Sequence, residues 1–258
     1  MNQPRMPMDS ITLLIVCPLV FLSGLVDSIA GGGGLISLPA YLIAGLPAHQ
    51  ALGTNKLSSA IGTAVATFRL ARNGYVHARL ALPAVVGALA GSAIGAKLAL
   101  FTPEGIFQIL LIGALPVVAV ALMRKPDLQP DASKVISPAK QLAIVGAISL
   151  SIGCYDGFYG PGTGTFMLLA FVAFANLDVR VAAGEKQCAN LASNVAALMM
   201  FLSAGVVNIQ LGLIAAVFGM AGNYIGSGLV MRDGSKVIRP LIIGLLVILF
   251  IKVVSDLL

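Results

Sequence analysis

Two aspartates sit where a membrane helix should be continuous. Asp27 opens the run Asp27-Ser28-Ile29-Ala30-Gly31-Gly32-Gly33-Gly34, and Asp156 opens Asp156-Gly157-Phe158-Tyr159-Gly160-Pro161-Gly162-Thr163-Gly164. A carboxylate in hydrocarbon costs about 2.5–3.5 kcal/mol on insertion scales, so it marks a functional position by default. The glycines that follow break the helix. Non-helical backbone at membrane depth persists only when buried in protein or lining a cavity. A short helix that starts at such a break aims free N–H groups and its positive dipole end at the midplane, where they attract an anion. Gly31, Gly32, Gly33, Gly34, Gly160, Gly162, Thr163 and Gly164 are therefore candidate substrate-binding positions. Asp27 and Asp156 are candidates for a coupling or structural role. A plainer reading stands beside this one. The glycines could serve only tight packing and turns, and the aspartates could only cap the short helices. A cap that takes up a proton would reconcile the two.

Polar residues follow each break. Thr54, Asn55, Lys56, Ser58, Ser59 and Thr63 begin one long segment, and Glu185, Lys186, Gln187, Asn190, Ser193 and Asn194 begin another. Asn190 and Asn194 share a helix face. Asn55, Lys56, Gln187, Asn190 and Asn194 join the candidate substrate site. Lys56 could offset an anion's charge or snorkel to the interface. The asparagines could touch ligand or hold helices together, and Glu185 beside Lys186 reads as an interfacial pair. The glycine runs do not imply a nucleotide site, because no Rossmann strand pattern surrounds them. Cys17, Cys154 and Cys188 read as small core residues, and His49 and His77 fall in expected loops without a constellation. No metal or cofactor is expected.

The elements that must position these residues are apolar. The chain is 58% hydrophobic and 10% charged, with a mean hydropathy of +0.98, whereas soluble domains carry about 25% charged residues. The composition predicts an all-α polytopic membrane protein whose partner is the lipid bilayer. The net charge of +6 is explained by loop lysines and arginines rather than by nucleic-acid binding. Apolar runs fall at 11–30, 35–45, 51–70, 80–98, 105–123, 139–153, 165–175, 182–203, 207–230 and 237–254. Runs 35–45 and 165–175 cover only about half the hydrocarbon thickness. The first run belongs to the repeat described next, so a cleaved leader is not expected.

The order long, short, long, long, long occurs twice. Gly24, Asp27, Gly31 and Gly33 match Gly153, Asp156, Gly160 and Gly162 at one offset. Gly53, Gly74, Gly91 and Gly95 match Gly184, Gly205, Gly222 and Gly226 at an offset two larger. The spacing predicts a first transmembrane repeat at 1–125, a cytoplasmic linker at 126–138 and a second repeat at 139–258. Each repeat has one short, broken helix and about four long ones. Basic residues cluster at Arg69, Arg72 and Arg79, at Arg124, Lys125, Lys134 and Lys140, and at Arg232, Lys236 and Arg239. Their counterpart loops lack them, so the repeats should have inverted topology, with both termini non-cytoplasmic. Paired breaks in inverted repeats point to a transporter's binding site.

At these residues the chain resembles the sulfite exporter TauE/SafE family of small bacterial anion transporters. The resemblance covers nearly the whole chain. Asp27 to Pro39, Gly53 to Lys56, Tyr155 to Gly164, Ser193-Asn194 and the ending Ile238-Arg239-Pro240 carry it. It implies movement of sulfur-containing anions such as sulfite, sulfonates or thiosulfate, usually out of the cell, at a bacterial inner membrane. The family pattern usually carries a lysine three positions before Asn190, matching Lys56. This chain has Gln187 there and Lys186 just before it. A neighbouring helical position points about 100° away, so a two-lysine cage is not expected.

The expected function is a secondary transporter, not an enzyme, that moves a small anion by alternating access, with a proton-coupled cycle and a homo-oligomer both left open. An anion channel or a non-transporting membrane protein is the alternative. An intramembrane aspartyl protease with two aspartates sharing a proton is a further one, disfavoured because both aspartates sit in equivalent settings.

Overall fold

The computed structural model describes residues 10–106 and 136–233. Most of the expected segment 105–123, most of the linker 126–138, the segment 237–254, and Arg124, Lys125, Lys134, Lys236 and Arg239 lie outside the described residues. The described chain is all-helical, in the order α1 (Ser10–Ala30), α2 (Gly34–Ile43), α3 (Ala48–Arg72), α4 (Ala78–Phe101), α5 (Pro138–Phe158), α6 (Thr163–Ala175), α7 (Val179–Ser203) and α8 (Ile209–Asp233). The protein is an all-α polytopic membrane protein. Helices α1, α4, α5 and α8 are each long and apolar enough to cross a bilayer.

Helices α2 and α6 are too short to do so. Their 10 and 13 residues reach about 15 Å and about 20 Å at the α-helical rise. Both start directly after a glycine turn. Gly31 (φ 81) and Gly160 (φ 95) hold left-handed conformations in which a side chain would be strained. These are the glycines that the sequence register pairs. Helices α3 and α7, each 25 residues, bury polar residues alongside their apolar ones. They pack against each other in the middle of the bundle.

The packing repeats when the halves are exchanged. Helix α1 packs on α8, and its counterpart α5 packs on α4. Helix α3 packs on α8, and α7 on α4. Helix α2 rests on α1 and α3, and α6 on α5 and α7. Each half thus contributes the fourth wall of the other. The outer faces of α4 and α8 remain apolar and exposed at Leu82, Val86, Ile94, Leu98, Leu213 and Val217, as a lipid-facing surface requires.

Glycine makes these contacts close. A Cβ on Gly91 or Gly95 of α4 would collide with the carbonyl oxygens of Leu150 and Cys154 on α5. Their counterparts Gly222 and Gly226 on α8 would collide with Phe21 and Leu25 carbonyls on α1. Without a hydrophobic drive between helices in lipid, such small-residue approach is what holds the pairs together. Gly91→Val should therefore lower stability by about 1–3 kcal/mol through overpacking. Gly105→Ala should cost far less, since none of the described residues lies within 4 Å of a Cβ there. Thermal melts of the purified protein in detergent check both.

Candidate functional site

The two breaks touch. The Thr165 N–H donates to the Gly31 carbonyl at 3.2 Å, and the Thr165 hydroxyl donates to the Ala30 carbonyl at 2.7 Å. A Cβ on Gly164 would stand 2.6 Å from the Gly31 Cα, so both positions need glycine for the loops to meet. Side chains brace each loop from behind. Ser23 donates to the Gly33 carbonyl at 2.8 Å. Tyr155 donates to the Pro161 carbonyl at 2.6 Å, and Thr163 to the Gly160 carbonyl at 2.7 Å.

The aspartates do more than cap. Neither Gly33 nor Gly162, the residues preceding the short helices, places a side chain on the first turn. Asp156 accepts hydrogen bonds from Lys56 Nζ at 2.7 Å and from the Ser193 hydroxyl. Asp27 accepts from Asn190 Nδ2 at 3.1 Å and from the Gly33 amide. Capping alone is therefore the wrong account of Asp156: its carboxylate reaches across to helices α3 and α7.

Neither lysine snorkels. Lys56 is 1% exposed and Lys186 fully buried. Lys56 also donates to Asn194 Oδ1 at 3.2 Å. Lys186 donates to the Asp27 carbonyl oxygen at 2.7 Å and to Gln187 Oε1 at 2.9 Å, and its charge lies beside the Asp27 carboxylate. The expectation that Lys186 points away is thus corrected. Its four-carbon stem is long enough to bend back to the break from a neighbouring helical position. The result is a crossed pair of contacts. The lysine of the first half meets the aspartate of the second, and the lysine of the second meets the aspartate of the first.

Glu185 and Lys186 do not pair with each other either, contrary to the interfacial reading. Both are fully buried, and Glu185 instead takes the backbone N–H of His77 at 2.7 Å. The histidines also have partners that the sequence did not reveal. His49, which lies in α3 rather than in a loop, contacts Glu104, and His77 contacts Glu185.

A narrow cavity of about 30 Å³ opens beside the touching breaks. Gly31, Gly33, Gly34, Asn55, Lys56, Gly160, Thr163, Gly164, Asn190 and Asn194 line it, together with Asp27 and Asp156. Gly32, Gly162 and Gln187 lie outside its lining. Gln187 is drawn aside because Lys186 holds its carbonyl oxygen. Gly162 takes the left-handed turn (φ 81) that starts α6. Ser58, Ser59 and Thr63 also line the cavity, as do Val20, Ser23, Gly24, Gly219 and Asn223. Asn223 was the missed signal: it is a lone buried amide in an apolar helix.

Gly34 and Gly164 bring the first turns of α2 and α6 to this cavity, where the amides of Leu35, Ile36, Thr163 and Thr165 already donate to loop carbonyls. Lys56 adds a cation and the asparagine amides add neutral donors. A buried, charge-balanced cavity at two interrupted helices of a multi-pass bundle defines a membrane transporter. The chain belongs to the sulfite exporter TauE/SafE family, whose model matches residues 16–253.

Its relatives carry the same general description. A probable membrane transporter protein, ORF9, from Sinorhizobium sp is 37% identical over 238 residues, covering 92% of this chain and 90% of that protein. A probable membrane transporter protein from Haemophilus influenzae is 32% identical over 236 residues, 92% of each chain. The probable membrane transporter protein YfcA of Escherichia coli is 30% identical over 254 residues, 95% of this chain and 93% of that one. No solved structure matches.

The crossed contacts predict a specific cost. Lys186→Met leaves Asp27 buried without its neighbouring charge and should lower stability by about 3–5 kcal/mol. Adding Asp27→Asn should recover more than half of that loss in detergent melts. A double variant that costs the sum of the two singles would show that these charges do not interact.

Proposed function

We propose that this protein moves small sulfur-containing anions, such as sulfite, sulfonates or thiosulfate, across a bacterial inner membrane as a secondary transporter and not an enzyme. The observation that carries the reading is the Lys56–Asp156 pair. It places a buried cation, held by a carboxylate, at the cavity where both short helices begin. The Asp156 carboxylate occupies Lys56 as a substrate anion would. A proton taken up by Asp156 leaves the Lys56 charge unbalanced and an entering anion balances it again, so anion and proton would bind together, which supports proton coupling. At the other break the Asp27 carboxylate also lines the cavity, but it accepts from Asn190, and Lys186 bonds the Asp27 backbone carbonyl instead.

The exchange pattern of the helix contacts supports two repeats of inverted topology, 1–125 and 139–258, rocking about this centre. A cavity of about 30 Å³ holds about two waters. A sulfonate enters only when the walls part, as alternating access requires and a standing channel does not. Each aspartate has its own lysine, which disfavours two carboxyls sharing a proton as in an aspartyl protease.

Reconstitution into liposomes tests the reading. The wild type should show saturable flux of at least one of sulfite, thiosulfate or a short alkylsulfonate, dependent on the pH gradient. Asp156→Asn, measured per folded and inserted protein, should lose the flux or its dependence on the gradient. Absence of flux for every one of these anions under any gradient overturns the substrate class. Unchanged flux and pH dependence in Asp156→Asn overturns the role of Asp156.

A further inference from the structure

Glu185 stands to Thr54 as Gly184 stands to Gly53 in the sequence register, and His77 and Asn208 are related by that same offset. The structure holds both couples in the same contact. The Asn208 amide N–H donates to the Thr54 hydroxyl at 2.9 Å, beside the start of α8. The His77 amide N–H donates to Glu185 Oε1 at 2.7 Å, at the start of α4. In one half the contact is neutral. In the other it is a carboxylate with an imidazole 3.8 Å away at His77 Nδ1.

Two features set Glu185 apart from a plain structural acceptor. Its side chain is fully buried, and its Oε2 has no hydrogen-bond partner among the described residues. The His77 side chain beside it is 53% exposed, which gives the pair contact with water. Arg180 near the start of α7 is half-buried, Arg79 on α4 is exposed, and Tyr75 packs against Gly184. On α7, Lys186 turns to Asp27 of α1, and the Cys188 thiol lies within electrostatic reach of Glu185. Lys56 of α3 is held by Asp156 of α5, Tyr224 of α8 lies under Arg69, and α6 contains no charged residue.

We propose that Glu185 and His77 form a proton-responsive latch between α7 and α4, outside the substrate cavity and on the membrane face of the Arg69, Arg72 and Arg79 cluster. A proton from water is taken up at the unbonded Oε2 and stays there. The contact with the His77 N–H survives, but the negative charge at the N-terminus of α4, which the helix dipole favours, is lost. The grip of α7 on α4 weakens. Helix α7 carries Lys186, Asn190 and Asn194, so this frees one wall of the cavity. The equivalent grip of α3 on α8, through Thr54, does not respond to protons.

Hydrogen exchange read by mass spectrometry on the full-length protein tests this without any substrate, so its outcome is separate from that of the anion assignment. Between about pH 8 and about pH 5, exchange in the segment 76–84, corrected for its intrinsic pH dependence, should quicken about threefold, the size of a lost charge at a helix N-terminus. The segment 207–215 should not change. Glu185→Thr combined with His77→Asn copies the neutral half and should abolish the pH response. Glu185→Gln, which keeps an oxygen for the His77 N–H, carries the same prediction should the double variant fail to fold. A wild type whose 76–84 exchange is independent of pH, or a response that survives Glu185→Gln, overturns the latch.

Discussion

Everything in this structure depends on neutralising charge inside hydrocarbon. An unpaired carboxylate or ammonium there is costly, and breaking a buried pair leaves that cost uncompensated. The chain meets the constraint by crossing. Lys56 on α3 is bound to Asp156 on α5 at 2.7 Å, and Lys186 on α7 is bound to the Asp27 segment of α1 at 2.7 Å. Each aspartate takes a neutral donor from its own half, Ser193 for Asp156 and the Gly33 amide for Asp27, but its lysine comes from the other half. The pairing therefore fixes how the halves meet, and it brings the breaks that follow the aspartates into contact at Gly31 and Gly164.

The glycines serve this arrangement in two distinct ways. Those on α4 and α8 let the backbones of α5 and α1 approach closely, and they hold the outer walls. At the breaks, Gly31, Gly160 and Gly162 take left-handed conformations, and Gly34 and Gly164 carry the first turns of α2 and α6 to the cavity. The halves match in backbone contact but differ in chemistry. Lys56 lines the cavity, whereas Lys186 lies behind it with Gln187. Thr54 and Glu185 make the same contact with different charge.

Much of the fold was legible because the signals are short-range. Two ten-residue-scale apolar runs cannot span a bilayer, and α2 and α6 begin where the glycines end. The register of Gly91 with Gly222 and of Gly95 with Gly226 marked surfaces that do pack alike. The cavity lining was legible where it follows the chain, at Gly31, Gly33, Gly34, Gly160, Thr163 and Gly164. The site was not legible where a flexible side chain chooses among partners. A helical wheel places the Cα of Lys186 but not its Nζ, so the bond to the Asp27 carbonyl could not be read. Nor does spacing reveal that Ser193 reaches Asp156, that Asn223 lines the cavity, or that Glu185 meets His77. Those contacts join segments that only the assembled bundle makes adjacent.

The crossed pairing is tested most directly by a double-mutant cycle on Lys56→Met and Asp156→Asn, read as unfolding free energy in detergent. Coupled residues in one charged network show interaction energies of about 0.5–3 kcal/mol. The account predicts a value at the upper end of that range, with the double variant more stable than either single. Additivity within about 0.5 kcal/mol would contradict it, because the two charges would then be buried independently and the halves would not be held together through them.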